Sequence, residues 1–321
     1  MEGRSVEEYA SPLFLAWQLT NRCEAACLAC CEESGPDKGW PDEMTRDEAL
    51  RLVDQVVDLD IPYVAFGGGE PMGVGHWWEI CERLADANIL IKLETNGRHI
   101  DDSAATRLAQ MGVSCIQISV DGATLPSHQR MRPGSDFNAA LGAIDRLVAR
   151  GSRPQMVFVP TRLNIQEMIP TFELAVRHGC SAFVTGPLMR LGRAAAGWDG
   201  LACDSLTWQR AEATLRERAE QMGGDITLSI YPWDIVHELQ ERLESPQAMM
   251  LVVPNGRVKL LNALPFSPAD MKRHTLLQAW DLYRAGWRSP AVRDFILRCP
   301  AEPALLRHAN ETWDMPGIGP G

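Results

Sequence analysis

The sequence has no apolar run approaching the eighteen or so residues that a membrane-spanning helix needs. It also has no basic excess: 31 Lys and Arg stand against 42 Asp and Glu, a net charge of −11. The first lack points away from a membrane partner. The second points away from nucleic acid, because broad binding to phosphate backbones takes Lys and Arg gathered on at least one face. The opening residues "MEGRSVEEYASP" hold acids where a signal peptide would carry a basic stretch and then an apolar one, so a reducing cytoplasm is the expected location. No low-complexity tract or repeat of solenoid period is visible. Cysteine is scarce, nine in 321 residues, and in a reducing compartment these thiols are not expected to form a disulfide framework.

What is present reads as a folded chain, with 45% hydrophobic and 23% charged residues and enough length for a large domain with an appendage. "MTRDEALRLVDQVVDLD" opens with a capping-box pattern, Thr45 to Glu48, and places Ala49, Leu52, Val53, Val56 and Val57 on one helical face. Apolar, β-branched runs alternate with such helical stretches: residues 13–19, 63–66, 89–94, 115–120, 155–160 and 182–186 are expected strands. Gly151 and Gly179 stand where helix ends are expected. Strands alternating with crossover helices predict an α/β fold with a parallel sheet, open or curled into part of a barrel, with function at the C-terminal strand ends. From about residue 200 the pattern changes to a helix (206–222), a strand-like 225–233, a hairpin turning at Asn255 and Gly256, a further helix near "LLQAWDLYRAG", and an irregular tail "NETWDMPGIGPG".

The cysteines are unevenly distributed. Cys23, Cys27 and Cys30 follow the first strand with C-x3-C-x2-C spacing, and Cys31 adjoins them. Three thiolates on one short loop suit an iron–sulfur cubane with one iron left open. Structural zinc draws on four ligands and often on two separated pairs, and no second such pair exists. Cys31 is read as a neighbour of the site because adjacent side chains project differently, although a fourth-ligand role stays open. Cys81 and Cys115 read as buried small apolar residues. Trp77 and Trp78 read as packing residues, and His76 is given no role.

Polar residues gather at the other strand ends. Gly67, Gly68, Gly69 and Glu70 form a turn exposing backbone groups; the G-x-G-x-x-G fingerprint fails because Met72 holds the third glycine position, and no GKS or GKT follows. Thr95 and Asn96 follow the third strand, Ser119 and Asp121 the fourth, Asn164 the fifth, and Arg190 and Arg193 the sixth. An arginine there could pair with a carboxylate.

"CEAACLAC" after one strand and "GGGEP" after the next resemble the radical S-adenosylmethionine (radical SAM) superfamily, over residues 13 to about 195. The resemblance implies a partial (β/α)6 TIM-like barrel over 1–200, followed by a smaller α+β extension over 201–321. It implies one [4Fe-4S] cluster on Cys23, Cys27 and Cys30, whose open iron takes S-adenosylmethionine, and a 5′-deoxyadenosyl radical that abstracts hydrogen from a substrate. In it, Gly68, Gly69 and Glu70 hold the cofactor's amino group, while Thr95, Asn96, Ser119, Asp121, Asn164 and Arg193 lie about its ribose, its carboxylate or the substrate. Arg193 is preferred to Arg190 because "GRA" recurs at this place in the family. An electron donor, a flavodoxin or ferredoxin, is implied as a partner.

The tail "PNGRVKLLNALPF" with "LLQAWDLYRAGWRSPAVRDFI" is similar to the SPASM extension of peptide and cofactor maturases, but Leu251, Val252, Val253, Leu260, Leu261 and Asn262 stand where its auxiliary-cluster cysteines belong. Outside the amino-terminal half only Cys180, Cys203 and Cys299 remain, so a single cluster is expected. The expected activity is that of a radical SAM enzyme in peptide modification or cofactor maturation. The alternatives are conversion of a small metabolite such as a sugar or tetrapyrrole, and a non-catalytic iron–sulfur or zinc protein.

Overall fold

The computed structural model describes residues 6–224, 226–232 and 234–318. The first five residues of the opening segment, Asp225 and Trp233 at the ends of the strand-like 225–233, and residues 319–321 of the tail lie outside the described residues. Spatial contacts group the chain into two compact units: Met1–Arg22, Asp37–Ile91 and Ile235–Gly321 form the first, Cys23–Pro36 and Lys92–Asp234 the second.

All six expected strands are present, as Phe14–Gln18, Tyr63–Gly67, Leu90–Thr95, Cys115–Ser119, Gln155–Val157 and Ala182–Thr185. In the first unit Phe14–Gln18 pairs in parallel with Tyr63–Gly67 on one side and with Met249–Val252 on the other. Met249–Val252 and Arg257–Lys259 form the expected antiparallel hairpin. The helix Arg46–Asp58 starts as its capping box demands, Thr45 and Glu48 exchanging backbone and side-chain bonds. It buries Ala49, Leu50, Leu52, Val53 and Val56, so Leu50 takes the place expected of Val57. Trp77 is fully buried edge-on to Phe66, ring centroids 6.3 Å apart. Leu251, Val252, Val253, Leu260 and Leu261, at positions the resemblance gives to cysteines, are buried core residues. The tail is less irregular than expected, since Trp313–Asp314 pairs with Phe266–Ser267 and the Trp313 ring meets Phe266 and Phe295 edge-on.

In the second unit Lys92–Thr95, Cys115–Ser119, Gln155–Val157, Ala182–Thr185 and Thr227–Ile230 run parallel in that order. The helix Phe137–Val148 packs on Cys115–Ser119, and Met168–Arg177 packs on Ala182–Thr185. Leu93, Ile116, Ile118, Met156 and Phe158 are therefore buried, while the alternate positions Lys92, Cys115, Gln117, Ser119, Gln155 and Val157 are only half-buried and Glu94 is exposed. Cys115 thus departs from the expectation of full burial, because its strand position turns it away from the helices. Cys81 is fully buried, in the first unit. Among the described residues no helix is long and apolar enough to cross a membrane.

Replacing Trp77 with Ala removes a fully buried indole and should lower the unfolding free energy by about 3–5 kcal/mol, read as a reduced urea midpoint with unchanged slope.

Candidate functional site

The cysteine loop is a segment without regular structure that other segments of the second unit hold in shape. Ala26 and Leu28 donate their N–H groups to the carbonyls of Pro133 and Met131 at 2.8 and 2.9 Å, so residues 131–133 run alongside the loop like a paired strand. Leu28 and Ala29 pack against Leu188, Ala194 and Leu201, which explains the apolar residues within "CLAC". Cys23, Cys27, Cys30 and Cys31 are all partly exposed and none is in a disulfide.

Two of the thiols face donors. Arg132 Nη1 lies 3.5 Å from Cys27 Sγ, and Asn96 Nδ2 lies 3.9 Å from Cys23 Sγ. Asn96 also donates to Glu24 Oε2 at 3.2 Å, and His99 Nε2 meets Glu24 Oε1 at 2.6 Å. Burial would raise the Glu24 carboxyl pKa, but bonds from His99 and Asn96 outweigh it and hold the pKa below the usual range. Burial and the neighbouring Glu32 push the Cys30 thiol pKa up, and push that of Cys31 up further.

Arg132 is set from beneath by a buried acid. Its Nε donates to Asp121 Oδ2 at 2.6 Å, and the Asp121 side chain is only 2% exposed. Burial works against the charge on Arg132, and Asp121 together with the Cys27 and Cys30 sulfurs outweighs it. The other Asp121 oxygen accepts the Val159 N–H at 2.7 Å. Asn164 donates to the carbonyls of Asp121 and Val159, and its oxygen accepts from Thr161. The Asp121 N–H donates to His128 Nδ1 at 3.3 Å, and His128 Nε2 meets Ser135 Oγ at 2.8 Å. Asp121 and Asn164, expected as ligand contacts, are therefore tied into a frame beneath Arg132.

Arg193 also differs in placement from a free carboxylate partner. Its Nε donates to the Cys27 carbonyl and its Nη2 to the Ser34 carbonyl, both at 2.6 Å, while its N–H donates to the Cys30 carbonyl at 3.0 Å. The guanidinium thus clamps both limbs of the cysteine loop. Gly192 lies so close that a Cβ there would stand 2.3 Å from the Cys31 carbonyl oxygen. Arg190 instead stacks over Trp198, 5.1 Å from the ring centroid. Ser119 is half-buried at its strand end, and Thr95 Oγ1 accepts the Gly97 N–H.

In the first unit the glycine turn extends the strand pairing. Gly69 N–H donates to the Thr20 carbonyl at 2.7 Å and Glu70 N–H to the Arg22 carbonyl at 2.9 Å. A Cβ on Gly69 would stand 2.0 Å from the Arg22 oxygen, so this position admits only glycine. Gly68 has φ +97°. Glu70 is buried, and its Oε1 accepts the Met72 N–H at 3.2 Å.

Among the described residues no three His, Cys, Asp or Glu side chains converge on a single ion, so the fit to a metal centre rests on donor chemistry. Three cysteines on one loop suit an iron–sulfur cluster, which spreads its thiolates over separate irons. The guanidinium of Arg132 and the amide of Asn96 are donors of the kind that stabilise sulfur-borne negative charge. Sequence reasoning passed over Arg132, Gly192 and the Glu24–His99 pair. Arg132 carried no local signal, because it lies eleven residues beyond Asp121 with the helix Leu125–Met131 between them.

Residues 17–175 match the radical SAM superfamily. The chain is 32% identical over 192 residues to the mycofactocin maturase MftC of Mycobacterium ulcerans, covering 60% of this chain and 51% of that protein. It is 31% identical over 187 residues to an AdoMet-dependent heme synthase of Methanosarcina barkeri, covering 57% and 52%. The chain thus spans about half the length of the curated relatives it matches. Its fold resembles that of Streptococcus suis SuiB bound to S-adenosylmethionine, with a TM-score of 0.70 at 14% identity over 84% of this chain and 66% of that one. This α/β fold with a largely parallel sheet agrees with the partial barrel expected from the sequence.

Two consequences are measurable. Gly69→Ala should break the Gly69–Thr20 and Glu70–Arg22 bonds, seen as faster amide exchange at Glu70 than in the parent. The second concerns His128, whose pKa burial, aided by Arg132, lowers from 6.5 to about 4. Between those values only the unfolded chain takes the proton, so stability is complete above pH 6.5 and falls as pH drops toward 4, by up to roughly 3 kcal/mol. Urea titrations at neutral pH and near pH 5 should show this loss, and His128→Gln should lessen it.

Proposed function

Because residues 17–175 match the radical SAM superfamily, we propose that the protein is a radical SAM enzyme that uses one [4Fe-4S] cluster and S-adenosylmethionine to modify a peptide or mature a cofactor. The observation that carries this reading is the Cys23, Cys27 and Cys30 loop, clamped by Arg193 and faced at sulfur by Arg132 and Asn96. These three cysteines are assigned as cluster ligands. When bound, the cluster and cofactor supply reductive cleavage of a sulfonium and the 5′-deoxyadenosyl radical that takes hydrogen from substrate.

The chain's own residues have distinct parts in this assignment. Arg132, kept charged by Asp121, donates to the Cys27 sulfur and offsets thiolate charge. Arg193 and Gly192 fix the loop backbone, and Asn164 supports Asp121. Gly68, Gly69 and Glu70 are assigned to the amino-acid end of the cofactor, and Thr95, Asn96 and Ser119 to its remaining polar groups. Asp121, Asn164 and Arg193 are reassigned from cofactor contact to positioning, because each engages protein partners instead.

Residues 1–200 are proposed as the core and 201–321 as an extension without an auxiliary cluster, in a cytoplasmic protein reduced by a flavodoxin or ferredoxin. A maturase role is suggested by the similarity to the mycofactocin maturase MftC, and a peptide substrate by the likeness in fold to SuiB, whose structure is also known bound to the precursor peptide SuiA. A tetrapyrrole is the second reading, favoured by the nearly equal identity to a heme synthase.

Anaerobic reconstitution with iron and sulfide, then dithionite and S-adenosylmethionine, tests the proposal. About four irons per chain and release of 5′-deoxyadenosine are expected. Replacing Cys23, Cys27 or Cys30 singly with Ala should abolish the release and lower bound iron, whereas Cys31→Ala should retain both. Bound iron with no cofactor cleavage by any donor would indicate the non-catalytic alternative.

A further inference from the structure

The strands of the second unit carry two chemically opposite faces. On one, Leu93, Ile116, Ile118, Met156 and Phe158 are buried. On the other, the register sets Lys92 beside Cys115, Glu94 beside Gln117, and Gln117 beside Gln155, and none of these side chains is buried. The inner face of a packed parallel barrel is filled by branched aliphatic residues. A row of half-buried or exposed polar side chains, one acid and two amides, stands here in place of that filling.

Its chemistry is specific. Gln117 Nε2 donates to Gln155 Oε1 at 2.8 Å. That bond leaves a carbonyl oxygen on one glutamine and an NH2 group on the other, whichever way the amides are turned. A peptide unit offers the complement, one N–H and one C=O. Beside them Lys92 Nζ lies 2.6 Å from Glu94 Oε1, so the only cation in the row is already matched. A ring bearing several carboxylates would need unmatched cations to replace its hydration. We propose, on the basis of the radical SAM reading, that the face formed by Lys92, Glu94, Gln117 and Gln155 binds the amide backbone of a peptide substrate, with the glutamine pair as its docking element. The substrate class is therefore peptide and not tetrapyrrole.

The test uses the full chain. Gln117→Met with Gln155→Met removes both amides together at nearly constant shape, a change that is close to neutral for folding. Wild type and double variant are equilibrated with a pool of random synthetic octapeptides, and retained peptides are quantified by mass spectrometry. Haemin, a ring with propionate carboxylates, is titrated by absorbance in parallel. Wild type should retain peptides, and the double variant should retain about tenfold less at an unchanged Tm. Should its Tm fall, Gln155→Glu, which keeps the acceptor to Gln117 and removes the remaining N–H donor, must still lower retention severalfold, and unchanged retention would overturn the proposal.

Retention by neither protein, equal retention by both, or haemin binding that Lys92→Met abolishes would each overturn the proposal. Iron content and 5′-deoxyadenosine release of the same preparations score the radical SAM reading separately, so either can fail while the other stands.

Discussion

The site depends on one buried ion pair, Arg132 on Asp121. A guanidinium withdrawn from water needs a fixed counter-charge, and an acid 2% exposed needs one equally. Their mutual need draws in everything nearby: the Val159 N–H and the Asn164 amide from the segment after one strand, and His128 from the helix Leu125–Met131. The product of this convergence is a cation held against one particular sulfur, that of Cys27. Hydrogen bonds to cluster sulfurs are among the factors that set the potential of iron–sulfur centres. The rigidity of this frame is thus chemically useful at the thiol it faces.

Much of this was legible beforehand because local rules and tertiary demands agreed. The Thr45–Glu48 box, the strand-end positions of Thr95, Ser119 and Asp121, and the Asn255–Gly256 turn follow from periodicity and turn chemistry, and no long-range contact overrides them. The three-cysteine loop was legible as a loop because its cysteines crowd into eight positions just after a strand. Arg132 was not, since a cation near Pro and Gly reads as a solvated turn until the fold brings it 3.5 Å from Cys27. Arg193 was legible only as a donor after a strand, and the fold adds that loop carbonyls engage it.

The strand faces were half legible. Alternation in "CIQISV" announces a strand with one apolar face, and Ile116 and Ile118 meet that expectation under the helices. What alternation cannot announce is whether the other face meets solvent, core or ligand. The pairing of Gln117 with Gln155 depends on the register between two strands whose paired residues lie 38 positions apart in the chain. A polar residue in a strand acquires meaning only from its cross-strand partner.

The clamp of Arg193 on Cys27 joins residues 166 positions apart in the chain. On the ribosome the cysteines therefore emerge long before the residues that shape their loop, at synthesis rates of about 5–20 residues per second. Until strand Ala182–Thr185 and the turn after it have formed, the nascent thiols lack their backbone anchors. A loop so built takes its final backbone shape only in a chain that has completed about its first two hundred residues, however early its cysteines are made.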